Sequence, residues 1–156
     1  MRVLVAISIV LFFQITLFSQ NVLPIGQWRN HLSSSTSVTS ALVGSKIYSG
    51  AKSSFFYYDI VSGETKFLSK LDGFAQSNVS YLAYSASSKT LVIAYINSQI
   101  DLLTDEGNIF RVNDIFDAKV TGSKTIKHIL INGNIAYIST GFGLVVFDIP
   151  RRKVLD

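Results

Sequence analysis

From about residue 38 onward the chain is a succession of short runs of Val, Ile, Leu, Tyr and Phe, each closed by Gly, Asn, Asp or Ser. Runs of this length, alternating or continuous and bounded by turn formers, predict β-strands. They fall at Val38–Val43, Lys46–Gly50, Phe55–Ile60, Thr65–Leu68, Val79–Tyr84, Thr90–Ile96, Gln99–Leu103, Asn108–Val112, Ile126–Ile131, Asn134–Ser139 and Gly143–Ile149, with a further start at Lys153. The strands fall into groups of four, and no helix is expected beyond the first twenty residues.

Those first residues carry a different pattern. One cation, Arg2, precedes the apolar run Val3–Phe13, and the small residue Ser19 leads into the polar Gln20-Asn21. That layout predicts a secretory signal peptide over residues 1–19, cleaved after Ser19 or Gln20. An uncleaved anchor would need about 20 predominantly apolar residues, and Ser8, Gln14 and Thr16 interrupt this run. Residues 20–156 are left as one folded region.

Laying the strand groups over one another exposes an internal repeat. Tyr48 to Asp59 is 11 positions, as is Tyr137 to Asp148, and Ile93 falls between, with Thr104 in the place of the aspartate. The triplets Phe55/Tyr57/Tyr58, Ile100/Leu102/Leu103 and Leu144/Val146/Phe147 then superimpose. A period of roughly 40–45 residues with four strands is the length of one propeller blade. A β-sandwich would suit the strand spacing alone, but the repeat favours an all-β β-propeller. About three four-stranded blades of an incomplete ring are present, because propellers close with four to eight. Leu91–Ile96 and Leu144–Phe147 read as strands buried on both faces between neighbouring blades. The sequence is expected to be the truncated, N-terminal part of a longer propeller.

Composition narrows the chemistry. The 156 residues are 48% hydrophobic and only 15% charged, which excludes a disordered chain. The absence of cysteine removes disulfides, thiolate metal sites and thiol nucleophiles. The net charge of +4 becomes +3 once Arg2 is removed, too little for a nucleic-acid footprint, so no nucleic acid is expected as a partner. The signal segment also inflates the positive mean hydropathy.

Candidate catalytic groups are sparse. His31 beside Trp28-Arg29-Asn30 and His128 within an apolar strand belong to no G-x-S-x-G elbow or H-E-x-x-H helix and read as structural residues. Asp101, Asp105 and Glu106 cluster around one turn, and Asp114 and Asp117 lie in a long connection, without the spacing of a calcium loop. Asp59 and Asp148 are expected to end a strand and bond the following turn. Gly141-Phe142-Gly143 lacks the helix a phosphate loop requires and reads as a tight reversal. Phe56-Tyr57-Tyr58 is expected to pack between blades, and Asn78-Val79-Ser80 is a glycosylation sequon by pattern alone. No residue is assigned a catalytic, metal-binding or cofactor-binding role, and no cofactor or enzymatic activity is expected.

Three strings together resemble a known family: Ile25-Gly26-Gln27-Trp28-Arg29-Asn30-His31-Leu32; Lys89-Thr90-Leu91-Val92-Ile93-Ala94-Tyr95 with Gln99-Ile100-Asp101-Leu102; and Gly141-Phe142-Gly143-Leu144-Val145-Val146-Phe147-Asp148. They are similar to the N-terminal β-propeller of the PorZ family, of the type IX secretion system of the Bacteroidetes, from about residue 24 to the end. The resemblance implies two consecutive propellers followed by a C-terminal secretion domain. It also implies a non-enzymatic surface component, exported through the periplasm and held at the outer membrane with a PorU-like sortase and PorV- and PorQ-like proteins. Such proteins assist attachment of cargo to anionic lipopolysaccharide. No functional residue of the family can be carried onto a numbered position here. Sensor propellers of hybrid two-component regulators share the blade pattern and give the alternative, a periplasmic ligand sensor. A propeller-based polysaccharide enzyme is a weaker third reading.

Overall fold

A computed structural model describes residues 36–156. The expected signal peptide and the Ile25–Leu32 string, with its His31, lie outside the described residues. Twelve strands follow one another: β1 (Ser37–Val43), β2 (Lys46–Ala51), β3 (Phe55–Asp59), β4 (Thr65–Leu68), β5 (Val79–Ser85), β6 (Thr90–Tyr95), β7 (Ile100–Thr104), β8 (Ile109–Val112), β9 (His128–Asn132), β10 (Ile135–Ser139), β11 (Leu144–Asp148) and β12 (Lys153–Val154). They form three four-stranded sheets, β1-β2-β3-β4, β5-β6-β7-β8 and β9-β10-β11-β12. Every neighbouring pair is antiparallel.

Each sheet is a simple meander, the order that short reversals between consecutive antiparallel strands produce. The first strands approach one another, β1 against β5 and β5 against β9. This is the arrangement of consecutive propeller blades with their first strands innermost, and the ring is not closed. At the β9–β10 reversal Gly133 takes φ +59, which a side chain would resist, and Asn134 completes the two-residue turn.

Two apolar seams hold the blades together. Tyr48, Phe55 and Leu68 of the first blade meet Leu82, Leu91, Ile93 and Tyr95 of the second. Val92, Ala94, Ile100 and Leu102 of the second meet Ile129, Ala136, Ile138 and Phe147 of the third. Strand β6 therefore sends odd-numbered residues into one seam and even-numbered residues into the other, and all six are buried. That is the physical reason its sequence shows no alternation. The expectation of two-sided burial fails for β11: Val145 and Phe147 enter the second seam, whereas Leu144 is 59% exposed on the flank of the third blade.

The repeat needs one correction. Tyr48 pairs with Tyr57, Tyr137 with Val146, and the matching pair in the second blade is Val92 with Leu102, so Val92 and not Ile93 is the equivalent of Tyr48 and Tyr137. Ile93 lies on the expected second strand but faces the other seam. The cause is one extra residue in the β6–β7 reversal. Tyr95 N donates to Gln99 O there, across three residues, whereas Ala51 N to Ser54 O and Thr140 N to Gly143 O each close two. The third-strand triplets superimpose as expected.

Short helical segments also appear where none was expected, both in connections between blades. Lys70–Asp72 forms a 3-10 turn in which Ser69 Oγ accepts from Leu71 N at 3.2 Å and Asp72 Oδ2 accepts from Ser69 N at 2.9 Å. Its S-x-x-D spacing is that of a capping box with aspartate as the acid. The second, α1, is the single helical turn Asp114–Asp117. No helix among the described residues is long and apolar enough to cross a membrane.

Candidate functional site

Meandering blades gather their reversals at two ends. The β1–β2, β5–β6 and β9–β10 reversals share one end with β7–β8 and β11–β12, and two hollows open there at successive blade junctions. The larger, about 410 Å³, lies between the second and third blades. Ser85 Oγ spans this junction, donating to Gly133 O at 2.7 Å, and Ile149 N donates to Asn134 O at 3.0 Å. Both bonds fix the walls.

The β11–β12 reversal is built by the aspartate that the sequence marks as a strand terminator. Asp148 Oδ1 accepts from Arg151 N at 2.9 Å, and the Arg151 guanidinium lies 3.6 Å from Asp148 Oδ2. Arg152 then takes φ +55, and its guanidinium carbon lies 4.2 Å from the centroid of the Phe110 ring. Asp59 behaves likewise in the first blade, accepting from Val61 N at 2.9 Å. That bond is the main reason its carboxyl is held below the ordinary aspartate value.

The second hollow, about 320 Å³, lies between the first and second blades. Lys46 Nζ stands 4.7 Å over the Tyr57 ring, and Tyr84 OH donates to both oxygens of Asp105 at 3.2 and 3.1 Å. Burial is the first cause raising the pKa of Tyr48 and of Tyr84; Tyr57 and then Asp105 add to the shift of Tyr48, and Asp105 adds to that of Tyr84.

At the opposite end an amide array covers the second blade. Gln99 Oε1 accepts from Asn97 Nδ2 at 2.7 Å and from Gln76 Nε2 at 3.4 Å, while Gln99 Nε2 donates to Asn113 Oδ1 at 3.3 Å. Beneath it lies Asp101, in a place its sequence spacing does not indicate. Asp101 does not cluster with Asp105 and Glu106, which occupy the β7–β8 reversal; it is fully buried within β7. Its Oδ2 accepts from Ala75 N at 2.6 Å and Tyr95 OH at 2.8 Å, and its Oδ1 from Arg111 Nε at 3.1 Å. Arg111 Nη2 also donates to Gly73 O at 3.1 Å. The network stitches the β4–β5 connection onto the second blade. Burial, then the Asp101 charge, pushes the Tyr95 phenol far upward, so it serves as a fixed donor.

The remaining sequence candidates have ordinary places. His128 opens β9, exposed, with its ring 5.0 Å from that of Tyr81. Asp114 and Asp117 flank the single turn of α1. Gly141-Phe142 is a two-residue reversal, capped by Thr140 Oγ1 accepting from Gly143 N at 3.1 Å. Of Phe56-Tyr57-Tyr58, only Tyr57 packs against a blade seam; the Phe56 ring meets that of Phe67 in a tilted pair at 5.5 Å, and Tyr58 is exposed. Asn78 Oδ1 is buried with no partner among the described residues. No cluster of three His, Asp or Glu that could hold a metal occurs among the described residues. Both ends present hydrogen-bonding groups and cations on a stiff sheet framework, an arrangement suited to recognition.

Residues 47–156 match the family model for the TSS9, PorZ, N-terminal beta-propeller domain. Among solved structures the chain is similar to PorZ of Porphyromonas gingivalis, described as an essential bacterial surface component of the type IX secretion system, with 29% identity and a TM-score of 0.72. That alignment covers 77% of this chain and 16% of the other. It is similar in fold to the extracellular domain assigned to a hybrid two-component system of B. thetaiotaomicron, with 12% identity, a TM-score of 0.62 and 85% of this chain against 17% of the other. No curated protein matches the chain in sequence. The chain thus spans about a sixth of each matched structure. With the family model covering most of the sequence and the strands folded into consecutive four-stranded blades, the chain belongs to the PorZ N-terminal β-propeller family of the type IX secretion system.

Proposed function

We propose that the protein is a non-enzymatic scaffold of the type IX secretion machinery, exported by a signal peptide at residues 1–19 and working at the outer membrane, where it assists attachment of cargo to anionic lipopolysaccharide. Its partners in this reading are a PorU-like sortase and PorV- and PorQ-like proteins, and residues 20–156 supply the first blades of its N-terminal propeller. The observation that carries the proposal is the family match over residues 47–156. The fold supports it physically: rigid blades hold reversals at two ends, where loops on a stiff framework can dock partners without reordering. The 12% identity to the sensor domain speaks for shared fold only and gives the sensor alternative no separate support.

Deletion of the gene should leave type IX cargo in the periplasm, and the intact gene supplied in trans should restore its release. Unchanged cargo at the surface of the deletion strain would refute the role.

A further inference from the structure

The hollow between the second and third blades has features that blade packing does not require. Its floor is apolar, made by Leu102 and Ile149. Around the rim stand Arg152, Ser87 and Asn134, whose side chains make no hydrogen bond or ion pair to a described residue. No carboxylate lines the hollow. The neighbouring cation, Arg151, is already matched to Asp148 at 3.6 Å. Arg152 therefore presents a guanidinium with no partner charge among the described residues.

The guanidinium is also held in place. Its Cζ lies 4.2 Å from the centroid of the Phe110 ring, a cation–π contact, and its N–H groups, which can form the paired hydrogen bonds of a carboxylate, donate to no described residue. The backbone adds a second observation. Arg152 occupies the left-handed region at φ +55, where glycine would cost less, and Lys89, after the Ser87-Ser88 wall, does so at φ +48. Two of the three non-glycine residues at positive φ among those described thus stand in two of the three reversals that wall this hollow, β5–β6 and β11–β12. Such outliers gather at binding sites more than in plain connections.

We infer that this hollow binds a small organic monocarboxylate, its carboxylate gripped by Arg152 and its body lying on the Leu102–Ile149 floor within reach of Ser87 and Asn134. The charge count selects a monoanion over a phosphate dianion, since one unmatched cation lines the site. The volume of about 410 Å³ lies at the small end of ligand pockets. The inference is independent of the secretory role, which gene deletion tests and ligand titration does not.

Calorimetric titration of the full-length secreted protein, not of residues 20–156 alone, with benzoate and D-glucuronate, against benzamide and D-glucose as neutral counterparts, tests it. At least one acid should bind saturably, its neutral counterpart at least about tenfold more weakly, as expected for a lost charge-assisted pair. Arg152→Ala should weaken the acid by a similar factor with an unchanged thermal midpoint, and Arg151→Ala should leave binding within about twofold. Absence of binding by both acids, equal binding of a neutral counterpart, equal losses in the two arginine variants, or tighter binding of glucose 6-phosphate than of glucuronate would each overturn the assignment.

Discussion

Asp101 is a fully buried carboxylate in an apolar blade, tolerable because three donors converge on it: the Ala75 amide, the Tyr95 phenol and the Arg111 guanidinium. Removing the acceptor strands a buried amide and a buried hydroxyl, while Arg111, its side chain 43% exposed, can turn to water. Asp101→Ala should therefore cost about 3 kcal/mol, mostly from the two stranded donors at 1–3 kcal/mol each. Tyr95→Phe, which leaves the carboxylate two of its donors, should cost about 1 kcal/mol. Thermal or urea unfolding of the full-length secreted protein reads both, and an Asp101→Ala variant as stable as its parent would show that the network holds nothing. The sequence offers no hint of this role. Asp101 lies four positions before Asp105, and only the pairing of β7 with β8 sets it opposite Arg111, while Ala75 reaches it, and Gly73 reaches Arg111, from a connection well upstream. Asp59 and Asp148 are legible because each bonds the turn it begins, so the geometry that defines them is local.

At the scale of elements, Gly50 of β2 lies tightly against Val79 of β5. A Cβ built on Gly50 would stand 2.5 Å from Val79 Cγ1 and 2.6 Å from its Cβ. Gly50→Ala should thus force the first seam apart and cost about 1–3 kcal/mol, the usual range for overpacking. Val79→Ala, costly alone through its cavity, should recover part of that loss in the double variant, giving a coupling of about 1 kcal/mol between the positions. Additive losses in urea unfolding would mean that the strands do not meet there. The strands themselves are legible because turn formers punctuate them: Thr65–Leu68 falls where expected and the others lie within two residues of it. Phase is harder. Where both faces of β6 are buried the two-residue alternation vanishes, so nothing in Leu91–Ile96 says which residue faces which blade. The extra residue of the β6–β7 reversal then slips the alignment by one, from Val92 to Ile93. The hollow beside Arg152 was equally hidden, because its walls come from reversals of two blades and only the repeat's geometry brings them together.

For the molecule as a whole, three blades bury two seams and leave two flanks. On the third blade Leu130 and Leu144 are 58% and 59% exposed; on the first, Leu42 is 58% exposed with Ile47 and Tyr58 on the same flank. These are regular, antiparallel sheet faces, the kind of surface that in a closed propeller lies against another blade. Contiguous apolar area of this sort is rarely left bare on a monomer. A protein comprising residues 20–156 alone should consequently self-associate or stay loosely packed, binding a hydrophobic dye and melting over a broad, concentration-dependent range. Leu130→Lys with Leu144→Lys, both on exposed positions and outside the two seams, should reduce that association while leaving the far-ultraviolet dichroism of the sheets in place. The paired substitution separates flank exposure from failure of the seams: if the blades themselves could not fold, charging the flank would change nothing. A sharp, concentration-independent melt of the unmodified protein as a monomer would show that these blades need no neighbour, and the ring-forming reading of the flanks would fall with it.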